Sequence, residues 1–219
     1  DLSKFEYIPN GIALEDWENP SELHEKHRRV FEELKNNKKF VVCYVGGHAL
    51  SNSLDVFLDA ACGMKENKRV AFVLVGNGIE KERLIAKAEK EELTNVVFLD
   101  SVDKREVPNL LSCADVLYIG AKICSIYRYG VSMNKVYDYM MAAKPIIYGV
   151  EAANNDVEEA ECGITIKPDN ANEINSAILS LMQMDKDERV RMGKNGKEWV
   201  EKNCAYNVLA DKFINTIMC

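Results

Sequence analysis

The stretch YRYGVSMNKVYDYMMAAKP, from Tyr127 to Pro145, places polar residues at the start of an otherwise apolar helical pattern. Ser132 is the predicted N-cap of this helix, so backbone amides around Asn134 are free in its first turn. Free amides, the positive end of the helix and the charge of Lys135 together favour a bound phosphate. Asp138 follows one turn later, on the same side as Lys135. Its carboxylate can accept hydrogen bonds from sugar or ribose hydroxyls.

This order of groups fits a nucleoside diphosphate-sugar, with phosphate at the helix start and hydroxyls one turn further on. The same residues have a simpler interpretation, an ordinary capped helix carrying an exposed pair between Lys135 and Asp138. Such a pair contributes only about 0.3 kcal/mol to stability. From the residues alone, both interpretations are open.

A second candidate is the loop YVGGHALSNSLD, which follows an apolar run. Gly46 and Gly47 let the backbone approach a ligand closely, and His48 can donate a hydrogen bond to a phosphate or sugar oxygen. Asn52 or Ser53 can cap the next helix, whose N-terminus favours an anion. The alternative is a tight strand-to-helix turn with an exposed histidine. The loop lacks the GxGxxG spacing of dinucleotide-binding folds, so NAD is disfavoured.

Two further loops contribute weaker candidates. In VGNGIEKERL, Gly76 and Gly78 flank an asparagine just before a helix. In FLDSVDKREVP, Lys104 is a candidate for contact with a phosphate. Flexible or capped turns with a solvated lysine explain both loops equally well.

Short apolar runs alternate with helical patterns along the whole chain, which predicts a parallel sheet buried on both faces. The expected fold is a Rossmann-like, doubly wound α/β domain of about six strands with helices on both faces. The predicted strands are 39–45, 69–75, 95–99, 114–119, 145–149 and 164–167. The predicted helices are 22–37, 53–65, 80–92, 104–113, 134–143, 157–161, 171–184, 186–203 and 206–217. Ligands of such sheets bind beyond the carboxyl ends of the strands, where the candidate loops lie.

Composition narrows the classes of function. The net charge of −7 argues against nucleic-acid binding driven by overall charge. Seven scattered cysteines indicate free thiols in a reducing compartment, and no apolar run is long enough to span a bilayer, so a cytoplasmic protein is expected. No Asp-x-Asp follows a strand, and no protein-held metal is expected. His24 and His27 lie in a charged helix and are expected to be solvated.

The order of these motifs resembles the C-terminal half of a GT-B glycosyltransferase of family 4, over nearly the whole chain. The segments that carry the resemblance are IPNGI, YVGGHALSNSLDVFLDAA, FVLVGNGIEKERL, VVFLDSVDKREVPNLLSCADV, YRYGVSMNKVYDYMMAAKPII and VEEAECGITIKPDNANEINSAI. The GVSxNK variant resembles bacterial enzymes that build surface polysaccharides from UDP-linked amino sugars.

The resemblance also assigns roles to residues. The family's E-x7-E pair falls on Gly130 and Asp138, so that only the second carboxylate is kept, and it would hold the ribose hydroxyls. The missing first carboxylate normally touches the donor sugar. Basic residues that are frequent in the first glycine loop are absent near Gly47 and Ser53, which leaves more of the diphosphate charge to the helix start. Arg128 is a further candidate for donor binding.

By this resemblance, residues 1–219 form a single donor-nucleotide-binding domain, cut from a longer enzyme whose N-terminal domain binds a glycan or lipid-linked acceptor. The implied reaction is retaining, metal-independent transfer from a UDP-sugar, with no other cofactor and with peripheral membrane association of the full protein. The isolated domain is expected to be inactive in transfer. The alternatives are a sugar-nucleotide epimerase of the related two-domain fold and a non-enzymatic, flavodoxin-like binding module.

Overall fold

A computed structural model of the chain describes residues 6–218. The strands are β1 (Phe40–Val45), β2 (Val70–Val75), β3 (Val96–Leu99), β4 (Val116–Gly120), β5 (Ile146–Gly149) and β6 (Gly163–Thr165). The α-helices are α1 (Glu25–Asn36), α2 (Leu54–Gly63), α3 (Lys81–Lys90), α4 (Val107–Ser112), α5 (Asn134–Met141), α6 (Asp156–Glu159), α7 (Ala171–Gln183), α8 (Lys186–Asn203) and α9 (Tyr206–Met218).

The strands form one parallel sheet in the order β3-β2-β1-β4-β5-β6. β1 and β2 pair along their whole length, from Phe40 opposite Val70 to Val45 opposite Val75. The strand order reverses between β1 and β4. The loops that follow these two strands therefore diverge toward opposite faces and leave a crevice at the carboxyl edge of the sheet.

Both faces of the sheet are buried, because successive side chains of a strand point to opposite sides. In β1, Val41 and Cys43 belong to one apolar core, and Val42 and Tyr44 belong to the other. Helices α1, α4, α5 and α8 cover the first core. Each contributes buried side chains to it, for example Phe31, Leu110, Met140 and Val200. Helices α2, α3 and α7 cover the second core, for example with Phe57, Leu84 and Ile178.

The predicted doubly wound α/β fold is confirmed, and each predicted strand overlaps an observed one. The predicted helix 104–113 begins instead as a 3-10 turn, Lys104–Glu106, and continues as α4. The expectation that His27 is solvated is wrong. This residue is buried, and its Nε2 lies 2.9 Å from the carbonyl oxygen of Asp100, because α1 packs against the loop that follows β3.

Candidate functional site

The first turn of α5 lies at the crevice without a side-chain cap. Met133 occupies the N-cap position in an extended conformation, with φ −106° and ψ 115°. The prediction that Ser132 is the N-cap is therefore wrong. Its Oγ accepts a hydrogen bond from the Asn10 backbone N–H at 3.0 Å, and its carbonyl oxygen accepts one from the Asn10 side-chain amide, also at 3.0 Å. The backbone N–H of Val136 donates to the Met133 carbonyl oxygen at 3.0 Å. Those of Asn134 and Lys135 have no partner among residues 6–218 and are free to bind a ligand.

Lys135 extends from this turn toward the loop after β1. Its Nζ donates to Asn52 Oδ1 at 2.6 Å and to the Tyr44 hydroxyl at 3.2 Å, and it lies 5.0 Å from the centre of the Tyr44 ring. Burial lowers the pKa of Lys135 to about 8. Both hydrogen-bond acceptors are neutral, so this ammonium is largely buried without a counterion among residues 6–218. The exposed Lys135–Asp138 pair of the simpler interpretation does not form.

Asp138 lies one turn further along α5, on the wall of the same crevice. Burial raises the pKa of its carboxyl group to about 6, while the positive charge of Lys104 acts in the opposite direction and Asp16 adds to the rise. No side chain of residues 6–218 donates a hydrogen bond to this carboxylate. The site therefore contains a cation and an anion that are both unpaired and that point to different parts of the crevice.

The loop after β1, which begins with Gly46, packs directly against the loop after β2, which contains Gly76 and Gly78. A Cβ atom on Gly76 would lie 2.0 Å from the carbonyl oxygen of Gly46, and one on Gly78 would lie 2.3 Å from that of His48. The backbone N–H of His48 also donates to the carbonyl oxygen of Asn77 at 2.9 Å. Gly76 and Gly78 therefore hold the first loop in place, and neither lines the cleft described below.

His48 is fully buried and points away from the crevice. Its ring lies 6.1 Å from the ring of Tyr44 and 6.2 Å from that of Phe98, and neither ring nitrogen has a hydrogen-bond partner. Burial, with the nearby charge of Lys81, lowers its pKa to about 4. Both expectations for His48 are therefore wrong. The side chain is not exposed, as the turn interpretation predicted, and its imidazole does not line the crevice where it could contact a ligand.

A cleft of about 530 Å³ runs along the start of α5. It brings together six of the residues predicted from the sequence, namely Gly46, Asn52, Ser132, Asn134, Lys135 and Asp138. Its wall also contains residues that the sequence did not single out, namely Asn10, Val45, Val107, Met133 and Tyr139. Tyr44, whose hydroxyl accepts from Lys135, was missed as well, and the only signal for it was a hydroxyl-bearing residue in an otherwise apolar strand.

Lys104 lies just outside this cleft. Its side chain is 81% exposed, and its ammonium forms an ion pair with Asp16. It lines a smaller neighbouring pocket, which shares Asn134 and Asp138 with the cleft. Lys104 is therefore near the site but already has a counterion, unlike Lys135.

Arg128 and Gly130 lie in the loop after β4, outside the lining of the cleft. The Arg128 guanidinium lies 4.6 Å from the Tyr129 ring centre and donates to the Tyr129 hydroxyl at 2.6 Å. Gly130 has φ +103°, a conformation that strains any other residue, and a Cβ atom there would lie 3.2 Å from Asn154 Oδ1. This backbone position is therefore unsuited to the carboxylate that the E-x7-E pattern would place there.

Residues 6–218 contain no cluster of three or more His, Cys, Asp or Glu side chains that could hold a metal ion. Within the same range, every helix is too short or too polar to cross a bilayer.

Residues 25–199 match the family model of group 1 glycosyl transferases. The chain belongs to this family. The match includes β1 to β6 and most of the helices, with the whole of α5 and the loop after β1. The search of curated proteins gave no match.

Solved structures of glycosyltransferases share the fold. HepE from Anabaena, in complex with UDP and glucose, superposes with a TM-score of 0.77 at 16% identity, over 97% of this chain and 56% of that one. WaaG, a glycosyltransferase involved in lipopolysaccharide biosynthesis, gives a TM-score of 0.69 at 17% identity, over 97% and 56% of the two chains.

The C-terminal domain of LpcC from Francisella tularensis, a glycosyl transferase of group 1, gives a TM-score of 0.67 at 16% identity. This match covers 89% of the present chain and 99% of the LpcC domain. The chain thus has the GT-B C-terminal fold, and it spans little more than half the length of HepE and WaaG.

Proposed function

We propose that the chain is the donor-nucleotide-binding domain of a retaining glycosyltransferase that takes sugar from a UDP-sugar without a protein-held metal. The observation that carries this proposal is the buried, unpaired ammonium of Lys135 beside the uncapped start of α5. An unpaired buried charge is costly. A diphosphate would satisfy both the ammonium and the free amides.

In this proposal Lys135 and the amides at the start of α5 both bind the diphosphate and stabilise it as the leaving group. As the bond between the sugar and the diphosphate breaks, negative charge grows on the leaving phosphate. The ammonium of Lys135 and the free backbone amides of Asn134 and Lys135 lie together at the start of α5, and donors fixed in this way stabilise such charge strongly. Asp138 accepts hydrogen bonds from the ribose hydroxyls, which orients the nucleotide along α5.

The acceptor side of the reaction belongs to a second domain outside this chain. Structures such as HepE are almost twice as long, and the chain overlays only one part of them. We assign a glycan or lipid-linked acceptor to that second domain, in bacterial polysaccharide biosynthesis in the cytoplasm, at the inner face of the membrane. Sugar transfer needs both domains, so the isolated chain is expected to bind the donor without transferring its sugar.

The epimerase alternative requires further acid and base groups around the sugar. Asp138 is the one carboxylate on the cleft wall within residues 6–218, so no specific observation favours that reaction. Incubation of the full-length enzyme with a UDP-sugar and no acceptor separates the two, because an epimerase inverts a sugar carbon under those conditions. Membership in a glycosyltransferase family argues against a non-enzymatic module.

Calorimetric titration of the chain with UDP, GDP and NAD tests the donor site. We expect UDP to bind and NAD not to bind. Lys135→Met keeps the apolar stem of the side chain and removes the charge. It should weaken UDP binding at least about tenfold, since a hydrogen bond to a charged group contributes about 1.5–3 kcal/mol.

Lys90→Met, on the exposed last turn of α3, is the matched control and should leave the affinity unchanged. Equal UDP affinity for Lys135→Met and the unmodified chain would refute the site. Absence of UDP binding to the chain would refute its role as an autonomous donor-binding domain.

A further inference from the structure

The ammonium of Lys135 is held by a small set of uncharged groups. Its Nζ has two hydrogen-bond acceptors, Asn52 Oδ1 and the Tyr44 hydroxyl. Both of these side chains are themselves fixed by the carbonyl oxygen of Gly47, to which Asn52 Nδ2 and the Tyr44 hydroxyl each donate at 2.8 Å. One carbonyl group of the first glycine loop therefore orients both acceptors toward the lysine.

The chemistry of these acceptors matters more than their number. A carboxylate at either place would also hold the ammonium, but it would cancel the positive charge before a ligand arrived. Amide and phenol oxygens orient the ammonium and leave its net charge intact. In a low-dielectric crevice that remaining charge interacts strongly with an anion.

The same contacts place the ammonium of Lys135 beside the first glycine loop. Lys135 Nζ lies 3.8 Å from the point that a Cβ atom on Gly46 would occupy, although the lysine belongs to α5 and not to the loop. The first glycine loop, from Gly46 to Ser53, contains no Lys or Arg. The helix therefore supplies positive charge to the loop across the crevice.

We infer that Tyr44 and Asn52 are positioning residues, which hold the Lys135 ammonium at the diphosphate subsite through uncharged hydrogen bonds so that its full charge is left to the ligand. This inference rests on the proposed function and extends it to the two residues that accept hydrogen bonds from Lys135. The depressed pKa of Lys135 agrees with it, because a carboxylate partner would have raised that pKa.

Two substitutions of Asn52 test the inference. Asn52→Asp keeps the shape of the side chain and places a carboxylate beside the ammonium. Asn52→Ala removes both hydrogen bonds without adding charge. Asn36→Asp, at the exposed end of α1 and the opposite edge of the sheet, is the control for net charge.

The measurements are the affinity for inorganic pyrophosphate and for UDP by calorimetry, and the pKa of Lys135 by NMR of 13C-labelled lysine. We expect Asn52→Asp to weaken pyrophosphate binding at least about tenfold and to raise the pKa of Lys135, because the new carboxylate stabilises the ammonium. Asn52→Ala should weaken binding less, Tyr44→Phe should behave like Asn52→Ala, and Asn36→Asp should have no effect.

The relative loss of pyrophosphate affinity in Asn52→Asp and Asn52→Ala decides whether Asn52 positions the lysine or only supports the loop. If Asn52 only supports the fold of the loop, Asn52→Ala will be at least as damaging as Asn52→Asp and the pKa of Lys135 will not rise, which overturns the inference. UDP binding that is equal in Asn52→Asp and the unmodified chain overturns the inference and leaves the proposed function standing.

A different outcome is that the chain binds pyrophosphate but not UDP. In that case Lys135→Met weakens pyrophosphate binding, and Asn52→Asp weakens it more than Asn52→Ala. The positioning role then stands and the UDP-sugar function fails. A chain that binds neither anion overturns both.

Discussion

Removal of the negative charge of Asp138 should change protein stability and UDP binding in opposite directions. The Asp138 side chain lies on the cleft wall, largely buried, with no hydrogen-bond donor among residues 6–218. Asp138→Asn keeps the shape of the side chain and removes the charge that burial disfavours. We therefore expect this variant to be more stable than the unmodified chain at neutral pH while it binds UDP more weakly.

The magnitude follows from the pKa. Burial raises the pKa of Asp138 from 3.8 to about 6, and each pKa unit corresponds to about 1.4 kcal/mol. The full cost of the carboxylate would be about 3 kcal/mol, and partial exposure reduces it to about 1.5 kcal/mol. Because the folded-state pKa is the higher one, the cost is absent below about pH 4, grows as the pH rises, and is complete above about pH 6.

Urea denaturation of Asp138→Asn and the unmodified chain, at about pH 4 and about pH 7.5, measures this effect. The stability difference between the two proteins should be close to zero at the lower pH and about 1.5 kcal/mol in favour of the variant at the higher pH. Glu66→Gln, on an exposed turn, is the control and should show no such change. A variant that is less stable at about pH 7.5, or a difference that does not depend on pH, would refute the reasoning.

Two further predictions concern the first glycine loop. Burial lowers the pKa of His48 to about 4. The free energy of unfolding should therefore fall by about 2 kcal/mol between about pH 7.5 and pH 5, because the unfolded chain binds a proton there that the folded chain does not. His48→Leu should lack this loss in urea denaturation, and His24→Gln, at an exposed site, should keep it; equal pH profiles for His48→Leu and the unmodified chain would contradict the assignment. At Gly47 a Cβ atom would lie no closer than 3.9 Å to any other group, that group being the Asn77 carbonyl oxygen, so a larger residue fits there. Gly47→Arg added to Lys135→Met should recover several-fold of the lost UDP affinity in calorimetry, and no recovery would show that the position of the charge matters more than its presence.

The fold could be predicted from the sequence because its signals are local. In β2, for example, every residue from Val70 to Val75 is buried, and a continuous apolar run of that length is typical of a parallel strand covered on both faces. The first residue of α5, Asn134, was predicted for the same reason, and the predicted end lies two residues beyond the observed one, since the apolar face repeats at helical spacing.

The details of the site could not be predicted because their determinants are distant in sequence. Ser132 looks like an N-cap, but its hydroxyl is taken by Asn10, which is 122 residues away. Lys135 has Asp138 as a local partner at helical spacing. It instead reaches Asn52 and Tyr44, which are 83 and 91 residues away. In each case a tertiary contact displaced the local partner that the sequence pattern favours.

The absence of a Lys135–Asp138 ion pair also matters for the proposed donor binding. Had the two charges met, each would have been neutralised and the cleft would have held no net electrostatic preference at either end. Tyr44 and Asn52 draw the ammonium toward the first glycine loop, and the carboxylate stays further along α5, beside Asn134 and Lys104. The unpaired charges lower the stability of the free protein. In the proposed function the ammonium serves the phosphate groups of a nucleoside diphosphate and the carboxylate serves its hydroxyl groups.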